Sequence, residues 1–252
     1  SAPTPEKISE PPASAPIHEG APAGFRWRLL YSVGATRTYV VPPSEIARMD
    51  PVSLLLGRDL GSAAKAVRFA EYGLELQGRY DAKVPFFGEG RVYLQPSSIR
   101  ALTNGSTQNF WGLGIDLLAG FRLEVDGFGL LRARTGLRAQ IDWAERGLFP
   151  NTYTHSWLLS AGVEVRNFEF LVEGAYLCFG GTSVSTLGTL RSGLAARGRL
   201  SYGIALGESW RVVPALEISR TQRNFGGGTL LAGLNAFSVE EASYLFLLGI
   251  EF

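Results

Sequence analysis

The stretch NFWGLGIDLLAGFRLEVDGFGLLRARTGLRAQID, residues 109–142, decides the fold because it consists of two long alternating segments joined by a turn. In the first segment the odd positions of 111–123 are apolar, whereas most even positions hold Gly, Asp, Arg or Glu. The dipeptide Asp126-Gly127 is typical of hairpin turns, and the odd positions of 131–143 then repeat the apolar stripe with one threonine. A period of two predicts strands, and both segments exceed the roughly 5 to 6 residues of an ordinary strand. The sequence therefore predicts a long antiparallel hairpin.

The same alternation recurs from Phe25 onward and predicts about ten strands, with eight or twelve as alternatives. The predicted strands are 25–41, 66–80, 83–95, 108–125, 128–145, 154–166, 168–180, 189–206, 209–222 and 242–252. Their connections alternate between short turns and longer loops, an arrangement typical of membrane β-barrels with an even number of strands. We therefore expect an all-β, transmembrane, antiparallel up-and-down barrel with both termini on the periplasmic side. Pro214 cannot donate a ladder hydrogen bond and predicts a bulge or a shifted strand boundary.

Alternation alone does not separate a membrane barrel from a soluble β-sandwich or lipocalin-like barrel, which would bury the same apolar stripe. Strand length favours the membrane, because about 9 to 11 residues cross a bilayer at a tilt. Tryptophan placement favours it too, since amphipathic aromatics collect at both membrane interfaces. All five tryptophans share the parity of the apolar stripe and are predicted to form two girdles. Trp27 and Trp210 fall near the short-turn end, and Trp111, Trp143 and Trp157 fall near the long-loop end.

The chain ends in ASYLFLLGIEF, residues 242–252, in which alternate positions are apolar and the last is aromatic. These positions are Tyr244, Phe246, Leu248, Ile250 and Phe252. The segment resembles the C-terminal signature of bacterial outer-membrane β-barrel proteins. The resemblance implies that these five residues form a signal for the barrel-assembly machinery. It also implies that the protein is integral to a bacterial outer membrane, in contact with its lipid and lipopolysaccharide, and it says nothing of a specific function.

Residues 1–24 differ in composition from the rest of the chain, because Pro, Ala, Ser and Glu dominate them. Such a segment buries too little apolar surface to fold alone and predicts a disordered periplasmic tail or linker before a barrel of residues 25–252. In polyproline conformation, at about 3.1 Å per residue, it would reach up to roughly 70 Å. We expect it to contact a periplasmic or envelope protein. The first residue is Ser1 and not methionine, which favours a chain that is processed, for example by removal of a signal peptide, or truncated from a longer one.

Charge and cysteine content narrow the kinds of partner and site. With 24 basic and 23 acidic residues the net charge is +1, so bulk charge does not favour nucleic acid. The single cysteine, Cys178, excludes an internal disulfide and a multi-cysteine metal site. We expect neither a metal nor another cofactor.

If the polar parity points inward, charged side chains fill the interior. About ten strands leave a narrow lumen, in which arginines and carboxylates are expected to pair because an unpaired charge is costly there. The predicted network comprises Arg122, Glu124, Arg132, Arg134, Arg138, Asp142, Glu164, Arg166, Arg197, Arg199 and Glu217. A mostly closed lumen follows from such pairing. The alternative is a narrow, anion-favouring channel, because arginines could outnumber carboxylates locally.

Three functions are compatible with such a barrel. The first is a structural anchor for an envelope-spanning assembly of a transport, secretion or motility machine. The second is a narrow, porin-like solute channel. The third is a surface enzyme at the outer rim, for which His155 would be the base with Ser156, Thr152, Thr154 or Asp142 nearby. We expect no enzyme, because a rim histidine in a polar segment is the simpler interpretation. Loop 42–65 is expected to cap the barrel mouth, and loop 223–241 to be mobile.

Overall fold

A computed structural model describes residues 24–41, 67–82, 84–101, 107–144, 152–182, 189–207, 209–226 and 236–252. The strands are β1 Gly24–Val41, β2 Val67–Asp81, β3 Phe86–Ala101, β4 Thr107–Val125, β5 Gly129–Ala144, β6 Thr152–Val165, β7 Phe168–Thr182, β8 Thr189–Tyr202, β9 Ile204–Ala205, β10 Arg211–Gly226 and β11 Ala236–Glu251. Among the described residues, no helix is long and apolar enough to span a membrane.

The strands close into a barrel. From β1 to β8 each strand pairs antiparallel with the next along the chain, β8 pairs with β10, and β11 pairs with both β10 and β1. The two-residue β9 continues β8 beyond Gly203 and pairs with β10 in the same register, so that ten strands form the ring. The prediction of an antiparallel, up-and-down, ten-stranded barrel is confirmed. Among the described strands, closure leaves no edge strand with unpaired backbone groups, which is the condition for crossing a hydrocarbon layer.

The apolar stripe lies on the outside of the barrel. On β4, Leu117 is 67% exposed, whereas its neighbours Asp116 and Leu118 are 0% and 5% exposed. The same contrast runs around the ring, since Leu159 and Phe246 are exposed while lumen carboxylates are buried. A soluble barrel does not expose so large an apolar surface, and the sandwich and lipocalin-like alternatives are excluded. A closed barrel with an apolar exterior and a charged interior is an integral outer-membrane protein.

The two ends of the barrel differ in their connections. Residues 126–128 and 166–167 make tight turns at the short-turn end, where β2 ends and β3 begins and where Gly24 and Phe252 also lie. The opposite, long-loop end joins β1 to β2 and β10 to β11 through residues outside the described ranges. The turn after β4 closes through a hydrogen bond from the Phe128 N–H to the Val125 carbonyl, 3.0 Å, and Gly127 adopts a φ of 73°.

Aromatic side chains mark both ends of the apolar belt. Trp111 and Trp143 are paired across β4 and β5 near the long-loop end, with ring centroids 6.4 Å apart. Near the short-turn end, Phe121 packs against Phe86 with centroids 5.7 Å apart. Trp111 and Phe121 are ten positions apart on β4, which at about 3.3 Å per residue and a tilt of roughly 40° spans about 25 Å. That height matches the hydrocarbon-facing band of an outer-membrane barrel.

Two prolines lie within strands, and the pairing is interrupted beside each. β3 runs past Pro96 to Ala101, and its pairing with β2 passes from Leu94 to Ser97. The prediction that this strand ends at residue 95 was wrong, because a proline is tolerated where a neighbouring ladder is broken. At Pro214, β10 stays paired to β11, while its pairing to β8 and β9 is interrupted opposite Gly203. The irregularity predicted at Pro214 is therefore a break between β8 and β9, the strands that neighbour β10.

The predicted loop 223–241 is shorter than expected, because β10 extends to Gly226 and β11 begins at Ala236. Its central residues 227–235 lie outside the described residues. So do nearly all of the predicted tail, residues 1–24, and the whole predicted cap, loop 42–65. The predictions about those segments stay predictions.

Candidate functional site in the barrel lumen

Glu173 on β7 is the centre of the charged interior. Its Oε2 accepts a hydrogen bond from Arg91 Nη2 at 2.6 Å, and its Oε1 accepts from Arg138 Nη2 at 2.9 Å and from Arg197 Nη2 at 2.7 Å. The three arginines come from β3, β5 and β8, and the Glu173 side chain is only 2% exposed. A carboxylate held by three guanidinium groups is fixed in position, because each charge-assisted bond limits its rotation.

Several ion pairs cross the lumen from wall to wall. Each of three pairs joins strands that lie four places apart around a ring of ten, so that the partners project from nearly opposite walls. They are Arg28 with Glu169 at 3.0 Å, Arg91 with Glu173 at 2.6 Å and Arg199 with Glu75 at 2.7 Å. The third is bidentate, since Arg199 Nη1 also donates to Glu75 Oε1 at 3.0 Å. These contacts fill the middle of the barrel with side chains.

Nine of the eleven residues predicted for the charge network lie in lumen ion pairs. They are Arg122, Arg132, Arg134, Arg138, Asp142, Glu164, Arg197, Arg199 and Glu217. The other two, Glu124 and Arg166, lie outside the network. Glu124 is exposed at the end of β4, and Arg166 is exposed in the β6–β7 turn with a φ of 55°. The prediction assigned both residues to the inward face by alternation. At these two positions, the end of β4 and the turn after β6, the side chains are exposed and do not point into the lumen.

The predicted network left out four acidic residues that bind lumen arginines, Glu169, Glu173, Glu240 and Glu241. Glu169 and Glu173 lie on β7, whose inward positions also include Leu171, Ala175 and Leu177, so that this strand has no uniform polar stripe. Glu240 and Glu241 lie on the part of β11 that was predicted as loop. The missed acids pair with Arg28, Arg91, Arg132, Arg138, Arg197, Arg220 and Arg223. The local excess of arginine expected for an anion channel is therefore absent among the described residues.

A cavity of about 150 Å³ lies between the Glu173 cluster and the long-loop end. Its floor is formed by Arg138, Glu173, Arg197 and Arg199, and its walls carry serine, threonine and leucine side chains. Toward the short-turn end, the cavities are far smaller, about 10 and 20 Å³. Cavities of that size hold about one water molecule each. Ion-paired side chains therefore fill the lumen toward the short-turn end, and the cavity of about 150 Å³ lies toward the long-loop end.

The structure separates His155 from the side chains that a catalytic site would need. His155 lies on the outer face of β6, where its ring stacks on Phe179 with centroids 4.3 Å apart. Thr152, Thr154 and Ser156 are buried on the opposite, lumen face, and Thr152 donates to Asp142 there. Adjacent residues of a strand point to opposite faces, so the proximity of His155 and Ser156 in sequence does not bring them together. In the described strands, no group of His, Cys, Asp and Glu is arranged to hold a metal ion.

The final strand places its five alternate residues on the outside. Tyr244, Phe246, Leu248, Ile250 and Phe252 are each 44% to 53% exposed. Phe252 is tied to β1 by two backbone hydrogen bonds with Trp27, both 2.9 Å, and its ring stacks on Trp210 at 5.2 Å. On the other face Glu251 accepts from Arg28 at 2.6 Å. The last strand thus joins the membrane belt to the lumen network.

Comparisons with known proteins find no matching family model and no matching curated protein. Among solved structures, an outer membrane channel from Pseudomonas putida F1 has 9% identity and a TM-score of 0.48, covering 95% of this chain and 98% of that one. The outer membrane protease OmpT from Escherichia coli has 7% identity and a TM-score of 0.43, covering 90% and 96%. The translocator domain of the autotransporter NalP from Neisseria meningitidis has 12% identity and a TM-score of 0.43, covering 94% and 90%. Their activities differ, and likenesses this distant carry no argument about the function of this chain.

Proposed function

We propose that this chain is a closed outer-membrane barrel that anchors an envelope-spanning assembly and is not a diffusion pore. The observation that supports this proposal is the set of three ion pairs that cross the lumen, Arg28 with Glu169, Arg91 with Glu173 and Arg199 with Glu75. A pore of this diameter would need those side chains to move aside. The anchoring role then rests on the membrane belt and on the chain that precedes β1.

The energy of the network argues against spontaneous opening. Glu173 and Arg91 are both 2% exposed, and breaking a buried ion pair by removing one partner costs about 3 to 5 kcal/mol. Opening a path would separate several such pairs at once. A barrel of about ten strands also leaves an interior only slightly wider than its side chains fill, unlike porins of 16 to 18 strands.

The geometry of the barrel end favours a partner on the short-turn side. The chain enters β1 at Gly24, at the same end of the barrel as Phe252. This is the side predicted to face the periplasm, and the Pro- and Ala-rich composition of residues 1–24 suits an extended connection. The proposed partner is a periplasmic or envelope protein bound through residues 1–24.

Single-channel recording in planar bilayers tests the closed barrel. We expect the purified wild-type protein to be silent and the double variant Arg91→Ser, Glu173→Ser to produce stable openings, since the variant removes both sides of one crossing pair. Openings of the wild type under the same conditions would instead support the narrow channel. The double variant serves as the positive control for insertion and detection.

Cross-linking in the native membrane tests the anchor. We expect a discrete cross-linked partner with the full chain and its loss when residues 1–23 are replaced by a Gly/Ser linker of equal length. The replacement leaves the barrel and the length of the preceding segment unchanged and alters only the amino-acid composition of that segment. An unchanged set of adducts would rule out a partner bound through this segment.

A further inference from the structure

We propose that the cavity above the Glu173 cluster is a binding site for one small, uncharged, polyhydroxylated molecule of monosaccharide size. The site is separate from the anchoring role, which needs no ligand. It lies on the long-loop side of the Glu173 cluster, whereas β1 begins at the opposite, short-turn end.

The size of the cavity sets the size of the ligand. Its volume is about 150 Å³, and by this measure one water needs roughly 10 to 15 Å³. The cavity therefore holds on the order of ten water-sized groups, close to the twelve or so non-hydrogen atoms of a hexose. A whole lipid or an oligosaccharide does not fit within it.

The charges around the cavity favour a neutral ligand. Four arginines and five carboxylates line it, and they pair with one another. Near the upper end, Arg223 contacts both Asp142 and Glu241 at 3.3 Å, while Glu173 holds Arg138 and Arg197 at the floor. An anion would have to compete with carboxylates already bound to these arginines, and a cation would have to compete with the arginines. A molecule without net charge displaces neither.

The polar groups that remain are suited to hydroxyl groups. The walls carry hydroxyl groups, which both donate and accept. They come from Ser32, Thr154, Ser156, Ser219 and Thr221.

Apolar groups complete the lining. Tyr93, Leu245 and Leu247 border the same cavity, so that its lining combines polar and apolar side chains. Small-molecule sites combine an apolar wall with a few oriented polar groups in this way. A pyranose ring offers both kinds of surface, C–H groups on its faces and hydroxyl groups at its edge.

Ligand-observed NMR and calorimetry on the full chain in detergent test the proposal. The probes are methyl α-glucoside and N-acetylglucosamine, with acetate and choline as charged counterparts. The cavity-filling variant is Ser219→Phe, and the matched control is Ile218→Phe, because Ile218 is the adjacent residue on the lipid-facing side. Circular dichroism and resistance to unfolding in SDS check that each barrel is folded.

We expect saturable binding of at least one sugar, weakened at least tenfold by Ser219→Phe and unchanged by Ile218→Phe. Should Ser219→Phe fail to fold, Ala195→Leu fills the same cavity from β8 with a smaller change. Absence of saturable binding of either sugar overturns the proposal, and so does sugar binding that survives both cavity-filling variants. Binding of acetate or choline in place of the sugars overturns the assignment to an uncharged ligand.

Discussion

Arg91 and Glu173 project from opposite walls of the barrel and meet in its centre, with Nη2 and Oε2 2.6 Å apart, although 82 residues separate them along the chain. The contact exists only when β3 and β7 occupy their places in a closed ring. Both side chains are buried, so a ring closed with the strands in another order or register would leave one of the two charges unpaired and would be less stable. The same ion pairs that require the correct arrangement of strands therefore also close the lumen.

The first prediction concerns the centre of this network. Glu173→Gln keeps the shape of the side chain and removes the charge that holds three arginines. We expect the free energy of unfolding to fall by about 3 kcal/mol, since buried guanidinium groups lose their counter-charge. Urea titration of the protein folded in lipid vesicles measures the change. The control is Glu124→Gln, an exposed acid outside the network, for which we expect less than about 0.5 kcal/mol.

The second prediction concerns the bidentate crossing pair. Arg199→Met and Glu75→Met should each destabilise the barrel, because the first removes the arginine that Glu75 binds and the second leaves the buried Arg199 with Glu217 alone. The double variant should be less destabilised than the sum of the two, with a coupling energy of about 1 to 3 kcal/mol. Equilibrium unfolding of all four proteins measures the cycle. Strict additivity would show that the two side chains do not interact in the membrane.

The third prediction compares two glycines within strands. A Cβ at Gly136 would overlap the Leu117 carbonyl oxygen and come within 2.8 Å of Leu118 Cα, whereas a Cβ at Gly198 meets nothing within 4 Å. Backbone atoms of a paired strand cannot move aside as a flexible side chain can. We therefore expect Gly136→Ala to cost about 1 to 3 kcal/mol and Gly198→Ala to be nearly neutral. Equal stabilities of the two variants would mean that β4 and β5 are less closely spaced.

The fourth prediction tests depth in the membrane. Leu117 and Leu206 are both 67% exposed, but Leu117 lies in the middle of β4 and Leu206 beyond β9 at the short-turn end. Arginine at the bilayer midplane of a barrel costs about 2 to 4 kcal/mol, and near the interface about 0 to 1. Leu117→Arg should therefore destabilise the protein strongly and Leu206→Arg weakly. The comparison, measured by unfolding from vesicles, places the membrane along the barrel axis.

The fifth prediction separates an assembly signal from packing at Phe252. Phe252→Ala and Trp210→Ala both remove the ring contact at 5.2 Å, so each should lower stability in vitro by about 0.5 to 1.5 kcal/mol beyond the area lost. We expect only Phe252→Ala to reduce the amount of folded barrel in the outer membrane of expressing cells. The amount is measured by the shift of unheated protein on SDS gels. Similar losses for both variants would assign the effect to packing.

Local pattern was sufficient for the hairpin of residues 109–142. β4 and β5 begin and end within one residue of the predicted bounds, because period-two alternation and the Asp126-Gly127 turn act over neighbouring residues. It was insufficient at Pro96, where the strand continues because the break in the ladder falls on the β2 side. A proline stops a strand only if its missing N–H would have been bonded, and that depends on the neighbouring strand.

The site shows the same division. Alternation found nine paired lumen residues but could not find Glu173, because the inward face of β7 alternates glutamate with leucine and alanine. Nor did it separate His155 from Ser156, which is adjacent in sequence but lies on the opposite, lumen face of β6. Partners such as Arg199 and Glu75 lie 124 residues apart, and only closure of the ring brings them together.

By itself, the sequence determined the class of fold, the approximate number of strands, which side chains share a face and which residues form the final aromatic stripe. These properties follow from local rules, since a strand alternates its side chains whatever surrounds it. Only the tertiary structure decided that the apolar face is outside, which carboxylate binds which arginine and where the lumen is closed. The reason is physical: these properties depend on contacts between strands distant in the chain, and their energies exist only once the barrel is closed.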